Sequence, residues 1–206
     1  MQGYIIRLQR VKDEDLILSI LTKNRLETLY RFYGARHGTI NLGYKIDFEI
    51  EHSLKASIGR LYDVVHLGFP WLLEQDRLRI WQQFTALFYP HLKESEETGS
   101  FYFMLLEQCA EQWGRQNPKR IAIEAYVQLL RHEGRLPDLE HCFFCEHHID
   151  DADITLIRGF QYAHTSCAHR QGVCATAVKE LMQHNGSLFL NDDEVDQLWL
   201  TLTEGF

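Results

Sequence analysis

The sequence lacks the apolar segments that mark membrane and secreted proteins. It has no stretch of about 18 consecutive apolar residues, so it predicts no membrane-spanning helix. The N-terminus has no apolar run long enough for a signal peptide. It has 5 cysteines, an odd number that cannot all form disulfides with one another. The close spacing of cysteines such as Cys142 and Cys145 suits bound metal in a reducing compartment better than a secreted disulfide scaffold. We therefore expect a cytoplasmic protein.

The common catalytic motifs are also missing. There is no G-x-x-x-x-G-K-[ST] phosphate loop, no G-x-G-x-x-G motif and no G-x-S-x-G nucleophile elbow. The metalloprotease motif H-E-x-x-H is absent too, because His132 and Glu133 are followed by Gly134, Arg135 and Leu136. The sequence therefore predicts a protein that binds rather than an enzyme.

Positive charge is scarce and unevenly distributed. The formal net charge is −8, yet residues 1–60 carry 10 Lys and Arg against 7 Asp and Glu. Residues 61–206 carry 11 against 22. This balance argues against general coating of nucleic acid, and it leaves the mildly basic N-terminal part as the candidate for binding phosphates.

Short strands are predicted throughout the first 66 residues. Lys45–Glu51 alternates apolar and charged residues, which is typical of a strand with one buried face. Four other segments have strand-like composition with turn residues between them: residues 4–9, Leu16–Thr22, 26–33 and 58–66. Five short strands favour a closed barrel, because closure removes exposed edges. An oligonucleotide/oligosaccharide-binding (OB) barrel is expected, and an SH3-like barrel is the alternative.

Helical spacing follows Pro70. Apolar residues recur at helical intervals over residues 71–89 (ended by Pro90), 101–113, 172–185 and 192–202. The best delimited helix has Asn117 as its N-cap, Pro118 at its first position and Gly134 at its C-terminal end. The predicted fold class is α+β, with a five-stranded OB barrel over residues 1–68 and an α-helical domain with a structural zinc module over residues 69–206.

Four candidate metal ligands lie in the last third of the chain. Cys142 and Cys145 form a C-x-x-C pair, and His164 and Cys167 form an H-x-x-C pair after 18 intervening residues. Two such pairs can close a tetrahedron around one Zn²⁺, leaving no position for water or substrate. We therefore predict a structural zinc module at about residues 138–170. The imidazole ligand stays open, because other potential ligands lie close in sequence: His141, His147, His148, His169 and Cys174.

Basic and aromatic residues are interleaved along the predicted barrel. The cations are Arg7, Arg10, Lys12, Arg31, Arg36, His37 and Lys45, and the aromatic residues are Tyr4, Tyr30, Phe32, Tyr33 and Tyr44. Single-stranded nucleic acid pairs its phosphates with cations and stacks its bases on rings, so this pattern favours such a ligand. Along residues 26–33, Tyr30 and Phe32 share one face of the strand, and one of the two faces belongs to the core.

A second basic group surrounds the helix after Asn117. It consists of Arg115, Lys119, Arg120, Arg131 and Arg135. Arg131 lies near the helix C-terminus, where it complements the helix dipole. Lys119 and Arg120 lie near the N-terminus, where positive charge is unfavourable, so a phosphate or acidic-peptide ligand is the better explanation for them.

Three stretches resemble the RecO family of bacterial recombination and repair mediators. They are Ile6-Arg7 with Asp13-Glu14-Asp15, Leu21-Thr22 and Gly34-Ala35-Arg36; then Leu129-Leu130, Gly134, Pro137, Leu139 and Cys142-x-x-Cys145; then Gly159 and His164-x-x-Cys167. Zinc-binding members of the family commonly have a second C-x-x-C pair, where this chain has His164 as the first residue.

The resemblance implies an OB domain, a helical domain and a zinc module. It implies binding of single- and double-stranded DNA, strand annealing and, with RecR, help in loading RecA onto strands coated by single-strand binding protein (SSB). It assigns DNA binding to Arg7, Arg10, Arg31, Arg36 and Lys45, and binding of the acidic SSB tail to Lys119, Arg120 and Arg131. The alternative is a zinc-stapled adaptor that binds only proteins, which the acidic residues 61–206 favour.

Overall fold

The chain forms two compact units. The computed structural model describes residues 1–52, 57–95 and 97–206. The units are Met1–Gly114 and Arg115–Phe206. The predicted domain boundary after residue 68 lies within the first unit, where the chain changes from strands to helices. The division into these two domains stays a prediction. None of the helices in the described ranges is long and apolar enough to cross a membrane.

Five strands of the first unit form a closed barrel in the order β1-β2-β3-β5-β4. They are β1 (Gln2–Arg10), β2 (Leu16–Thr22), β3 (Leu26–Arg31), β4 (Lys45–Glu51) and β5 (Gly59–His66). Neighbouring strands pair antiparallel except β3 and β5, which pair in parallel. The predicted α+β class and five-stranded OB barrel are confirmed, since the OB fold is a five-stranded Greek-key barrel.

Alternating side chains build the interior of the barrel. Ile46 and Phe48 of β4 are buried, whereas Glu49 and Glu51 on the same strand are exposed. The buried residues that pack together are Ile5, Leu16, Leu18, Ile20, Leu29, Ile40, Ile46, Phe48 and Leu61. Burial of each such side chain contributes about 1.5–3 kcal/mol, so these residues stabilise the barrel.

Three helices complete the first unit: α1 (Gln75–Ala86), α2 (Phe88–Leu92) and α3 (Phe101–Gln112). The prediction of one helix over residues 71–89 is wrong. Pro70–Leu73 forms a short 3-10 turn, and the helical chain divides at Leu87. Pro90 does not end the helix as expected, because it lies in the first turn of α2, where a backbone N–H is not needed.

A buried tryptophan joins α1 to the barrel. Trp81 is fully buried, and its indole N–H donates to the carbonyl of Gly43 at 2.7 Å. Its ring packs edge-on against Trp113 at 4.8 Å and against Tyr4 of β1 at 5.8 Å. Gly43 has a φ of 80°, and an added Cβ would lie 2.7 Å from the Trp81 ring. Only glycine satisfies both the backbone conformation and the close approach.

The second unit combines helices with a small sheet of order β7-β6-β8. Its elements are α4 (Pro118–His132), β6 (Asp153–Ile157), β7 (Gln161–Ala163), α5 (Thr165–Ala168), β8 (Val173–Cys174), α6 (Ala175–His184) and α7 (Asp192–Thr203). The predicted ends of α4 are confirmed, because the Asn117 side chain accepts from Lys119 N at 3.0 Å and Gly134 has a φ of 67°. At the start of α7, Asn191 and Glu194 form a reciprocal capping box.

Candidate metal site and nucleic-acid interface

The four predicted metal ligands come together in the second unit. The ligand atoms of Cys142, Cys145, His164 and Cys167 all lie within 4.8 Å of one another. His164 Nδ1 lies 3.4 Å from Cys145 Sγ and 3.8 Å from Cys167 Sγ. With Zn–S and Zn–N bonds of about 2.3 and 2.0 Å, the edge of a zinc tetrahedron is about 3.6 Å. The group could therefore bind a metal ion, and its donor set and spacing fit structural zinc.

A tight turn presents the first pair of ligands. His141 and His148 form an isolated antiparallel bridge that closes the turn. Within it, Glu146 adopts a positive φ of 60° and donates its N–H to the Cys142 carbonyl at 2.8 Å. This folding brings the Cys142 and Cys145 side chains to one side of the turn, as their two-residue spacing predicts.

The second pair begins where β7 ends. His164 is the N-cap residue of α5, and Cys167 lies within that short helix. His164 Nε2 lies 3.2 Å from the carbonyl oxygen of His148. A proton on Nε2 donates to this carbonyl and leaves the Nδ1 lone pair directed at the thiols, which is the tautomer that a metal requires.

Backbone amides prepare one thiol for the metal. Burial acts to raise the pKa of the Cys142 thiol, but backbone N–H groups of Cys145, His164 and Phe144 outweigh it and lower the pKa to about 6. The N–H of His164 lies 3.5 Å from Cys142 Sγ. Because the thiolate is the form that ligates metals, this lowering of the pKa favours metal binding by Cys142.

Three of the five alternative ligands have other partners. His141 Nδ1 bonds to Asp138 at 2.9 Å, and His148 Nε2 pairs with Asp150 at 3.1 Å. Cys174 Sγ lies 3.1 Å from the hydroxyl of Thr176. Within residues 1–52, 57–95 and 97–206, the four-residue group contains none of these alternatives, so the geometry selects His164.

Three of the five cations predicted to bind DNA lie at the surface of the first unit. Arg7 donates to the Tyr89 hydroxyl and packs over that ring at 4.4 Å. Arg36 pairs with Glu14. Arg10 is exposed near the end of β1. Each guanidinium remains accessible to a phosphate group.

The other two cations have structural contacts. Arg31 is half-buried and donates to the Leu61 carbonyl at 2.9 Å, which ties β3 to β5. Lys45 is 13% exposed and pairs with Glu107 of α3 at 2.7 Å. Both side chains therefore stabilise the first unit, and their contact with DNA stays a prediction.

The three cations predicted to bind an acidic tail also have partners within the second unit. Lys119 pairs with Asp196 at 2.7 Å. Arg120 donates to the carbonyls of Ser187 and Leu190, so it holds the loop between α6 and α7. Arg131 donates to the Met182 carbonyl at the end of α6, at 2.7 Å. Their role in partner binding stays a prediction.

Substitution can separate these two kinds of contact. We expect Arg120→Met to lower the free energy of unfolding by about 2 kcal/mol, because it leaves partly buried carbonyls without a donor. Lys119→Met removes only a surface ion pair, and we expect a change within about 0.5 kcal/mol. Urea unfolding measures both. Equal effects of the two substitutions would contradict the structural role of Arg120.

Sequence reasoning missed two residues on the outer surface of β5. Arg60 and Tyr62 are both exposed, and Arg60 lies against the ring of Phe32. No role was assigned to them, although their two-residue spacing places both on one face of a strand. Alternation along residues 58–66 predicts a strand with Arg60 and Tyr62 on one face. It does not predict that this strand pairs with β3, which is what brings Arg60 beside Phe32.

Comparison with known proteins bears on the barrel. Residues 1–72 match the family model described as RecO N terminal. No curated protein matches the chain. The match supports assignment to the RecO family and a RecO-type role in DNA repair and recombination.

Proposed function

We propose that this chain, assigned to the RecO family by its residues 1–72, is a DNA-binding mediator of recombinational repair. It binds and anneals single-stranded DNA in the cytoplasm and, with RecR, helps to load RecA onto SSB-coated strands. The observation that carries the proposal is a closed five-stranded barrel that spans the matched residues and bears accessible arginines. The activity uses binding energy alone.

The charge distribution supports binding through the barrel. Residues 61–206 carry an excess of 11 negative charges, so they repel a polyanion, whereas residues 1–60 carry an excess of 3 positive charges. A few phosphate contacts give binding that is weak enough for strands to exchange. Annealing needs such exchange, because each strand has to leave the protein surface when it pairs with its complement.

The second unit would serve partner binding. Zinc would be held by Cys142, Cys145, His164 and Cys167 and would supply folding stability rather than chemistry. Among the cations proposed for the SSB tail, Lys119 has a surface partner, since Asp196 is 60% exposed, and an acidic peptide can replace that partner. Arg120 and Arg131 already donate to backbone carbonyls, so they would contact the tail only through their remaining N–H groups.

Salt dependence tests the proposed interface. We expect affinity for a labelled single-stranded oligonucleotide to fall steeply with salt, because bound cations release counterions from the strand. Arg7→Gln, Arg10→Gln and Arg36→Gln should each reduce the slope of log affinity against log salt by about 0.7. Fluorescence anisotropy measures the slope, and a strand-annealing assay with and without SSB measures the activity.

A matched control is available on α1. Arg79 is an exposed arginine paired with Asp76, and Arg79→Gln should leave both the slope and the annealing rate unchanged. Affinity that does not respond to salt, or a triple variant that binds like the unmodified protein, would refute the proposed interface.

A protein-binding adaptor is the second candidate function. The loop between α6 and α7 exposes 89% of Leu188 and 70% of Phe189, and α7 begins with acidic residues. Exposed apolar residues beside charge are typical of protein interfaces. Binding of purified RecR or SSB without any affinity for DNA would favour this function over the first.

A further inference from the structure

Three large side chains form an exposed cluster where β3 and β5 meet on the barrel. The strands pair in parallel, with Tyr30 opposite Arg60. Phe32 follows the end of β3, and Tyr62 lies two residues beyond Arg60 on the same face of β5. We call Phe32, Arg60 and Tyr62 the seam cluster.

The rings of the seam cluster are held in place but remain accessible. The Arg60 guanidinium carbon lies 4.6 Å from the centre of the Phe32 ring, and that ring packs edge-on against Tyr30 at 4.8 Å. Phe32 is 46% exposed and Tyr62 is 58% exposed. Contacts on one side fix Phe32, so it presents its ring to a ligand with little further loss of side-chain entropy.

A small cavity lies against the cluster. Its volume is about 110 Å³, and it is lined by the three cluster residues together with Tyr30, Arg31, Glu51 and Leu61. A space of this size does not enclose a whole nucleotide, but it can receive the edge of one flat base.

The charges around the cluster favour bases over phosphates. Arg60 pairs with Glu51 at 3.2 Å, and Glu51 lies opposite it on β4. Glu49 lies opposite Tyr62 and is exposed. Arg31 also lines the cavity, so two carboxylates accompany two guanidinium groups. The surface therefore has no excess of positive charge and offers a polyanion backbone little attraction. Stacking of bases on the Phe32 and Tyr62 rings does not depend on an excess of positive charge.

We infer that the seam cluster is a base-stacking subsite that makes the barrel prefer single strands to duplex. Phe32 and Tyr62 stack on unpaired bases, and Arg60 fixes the Phe32 ring. In a duplex the bases are already stacked on one another, so they cannot use these rings. The inference rests on the proposed function, and it adds the residues that distinguish the two forms of DNA.

Three probes of about 15 nucleotides test the subsite with the full chain: a dT strand, an abasic strand with the same phosphates and a duplex. Anisotropy titrations should show the highest affinity for the dT strand. Phe32→Leu and Tyr62→Leu should each lower that affinity about tenfold and leave binding of the abasic strand unchanged, because only bases stack. Phe189→Leu, which alters an exposed ring of the second unit, should change nothing.

A substitution with the opposite sign separates stacking from charge. Glu51→Gln releases Arg60 from its ion pair, so it should strengthen binding of the dT and abasic strands alike and steepen the salt dependence by about 0.7. Thermal unfolding of each variant establishes that the barrel is intact.

The outcomes distinguish the inference from the function beneath it. Equal affinity of the unmodified protein for the dT and abasic strands overturns the subsite and leaves the proposed function standing. This test uses only the unmodified protein, so it does not depend on the folding of any variant. Unchanged dT binding in both ring variants has the same meaning. Absence of binding to all three probes overturns the proposed function and the subsite together.

Discussion

The variant Cys142→Ser is expected to purify with a zinc content near zero and with a destabilised second unit. Cys142 is 1% exposed and provides one of four converging ligand atoms, so its loss removes a donor from the interior of the group. Structural zinc in small domains supplies roughly 10–16 kcal/mol of apparent binding free energy at neutral pH, and this energy is coupled to folding. The loss of one thiolate should therefore loosen residues 138–170 while the barrel stays folded.

Two measurements test this expectation. Elemental analysis gives the zinc content, and hydrogen exchange locates the loosened segments. Cys174→Ser is the matched control, because Cys174 is a nearby cysteine outside the four-residue group and should keep full zinc. Full zinc in Cys142→Ser, or loss of zinc in Cys174→Ser, would show that the ligand assignment is wrong.

A second large effect is expected at Glu107, where α3 contacts the barrel. Its carboxylate accepts from the Tyr4 hydroxyl at 2.5 Å and from the Lys45 ammonium at 2.7 Å. Burial and the bond to Glu107 raise the pKa of Tyr4 far above its usual value, so the phenol stays a neutral donor. Glu107→Leu leaves both donors unsatisfied in a largely desolvated site and should lower the free energy of unfolding by about 3 kcal/mol.

A double variant makes this prediction specific. Lys45→Met combined with Glu107→Leu removes both charges together, so it should recover the part of the lost stability that is due to the unpaired ammonium, while the Tyr4 hydroxyl still lacks its acceptor. Arg79→Met breaks an exposed pair on α1 and should change stability by about 0.5 kcal/mol or less. Urea unfolding of the unmodified protein and the three variants gives these values. A double variant no more stable than Glu107→Leu would contradict the desolvated pair.

The contact between Lys45 and Glu107 could not be predicted from the sequence, which suggests a role in DNA binding for Lys45 instead. Strand alternation correctly places Lys45 outside the barrel interior, and an outward lysine on a barrel strand suggests a phosphate contact. Glu107 lies 62 residues further along the chain. Periodicity describes only the face on which a residue lies, so it cannot reveal that α3 covers this part of the face. Arg31 and Leu61 illustrate the same limit.

Local features of the helices were predicted more accurately where the decisive contacts are close in sequence. The ends of α4 depend on the Asn117 side chain, the fixed φ of Pro118 and the positive φ of Gly134, all of which are local properties. The sequence does not predict the break between α1 and α2. Apolar spacing is continuous over residues 71–89, and the residue at the break is a leucine, which does not mark a helix end as a glycine would.

The sequence by itself determined the parts of this protein that depend on spacing: the strand alternation, the caps of α4, and the two ligand pairs whose two-residue gaps turn their side chains toward one point. Only the tertiary structure decided which histidine completes the ligand group, which cations remain accessible, and that Phe32, Arg60 and Tyr62 lie together on the barrel. The physical reason is that each of these depends on segments distant along the chain, and spacing in the sequence carries no information about which distant segments meet.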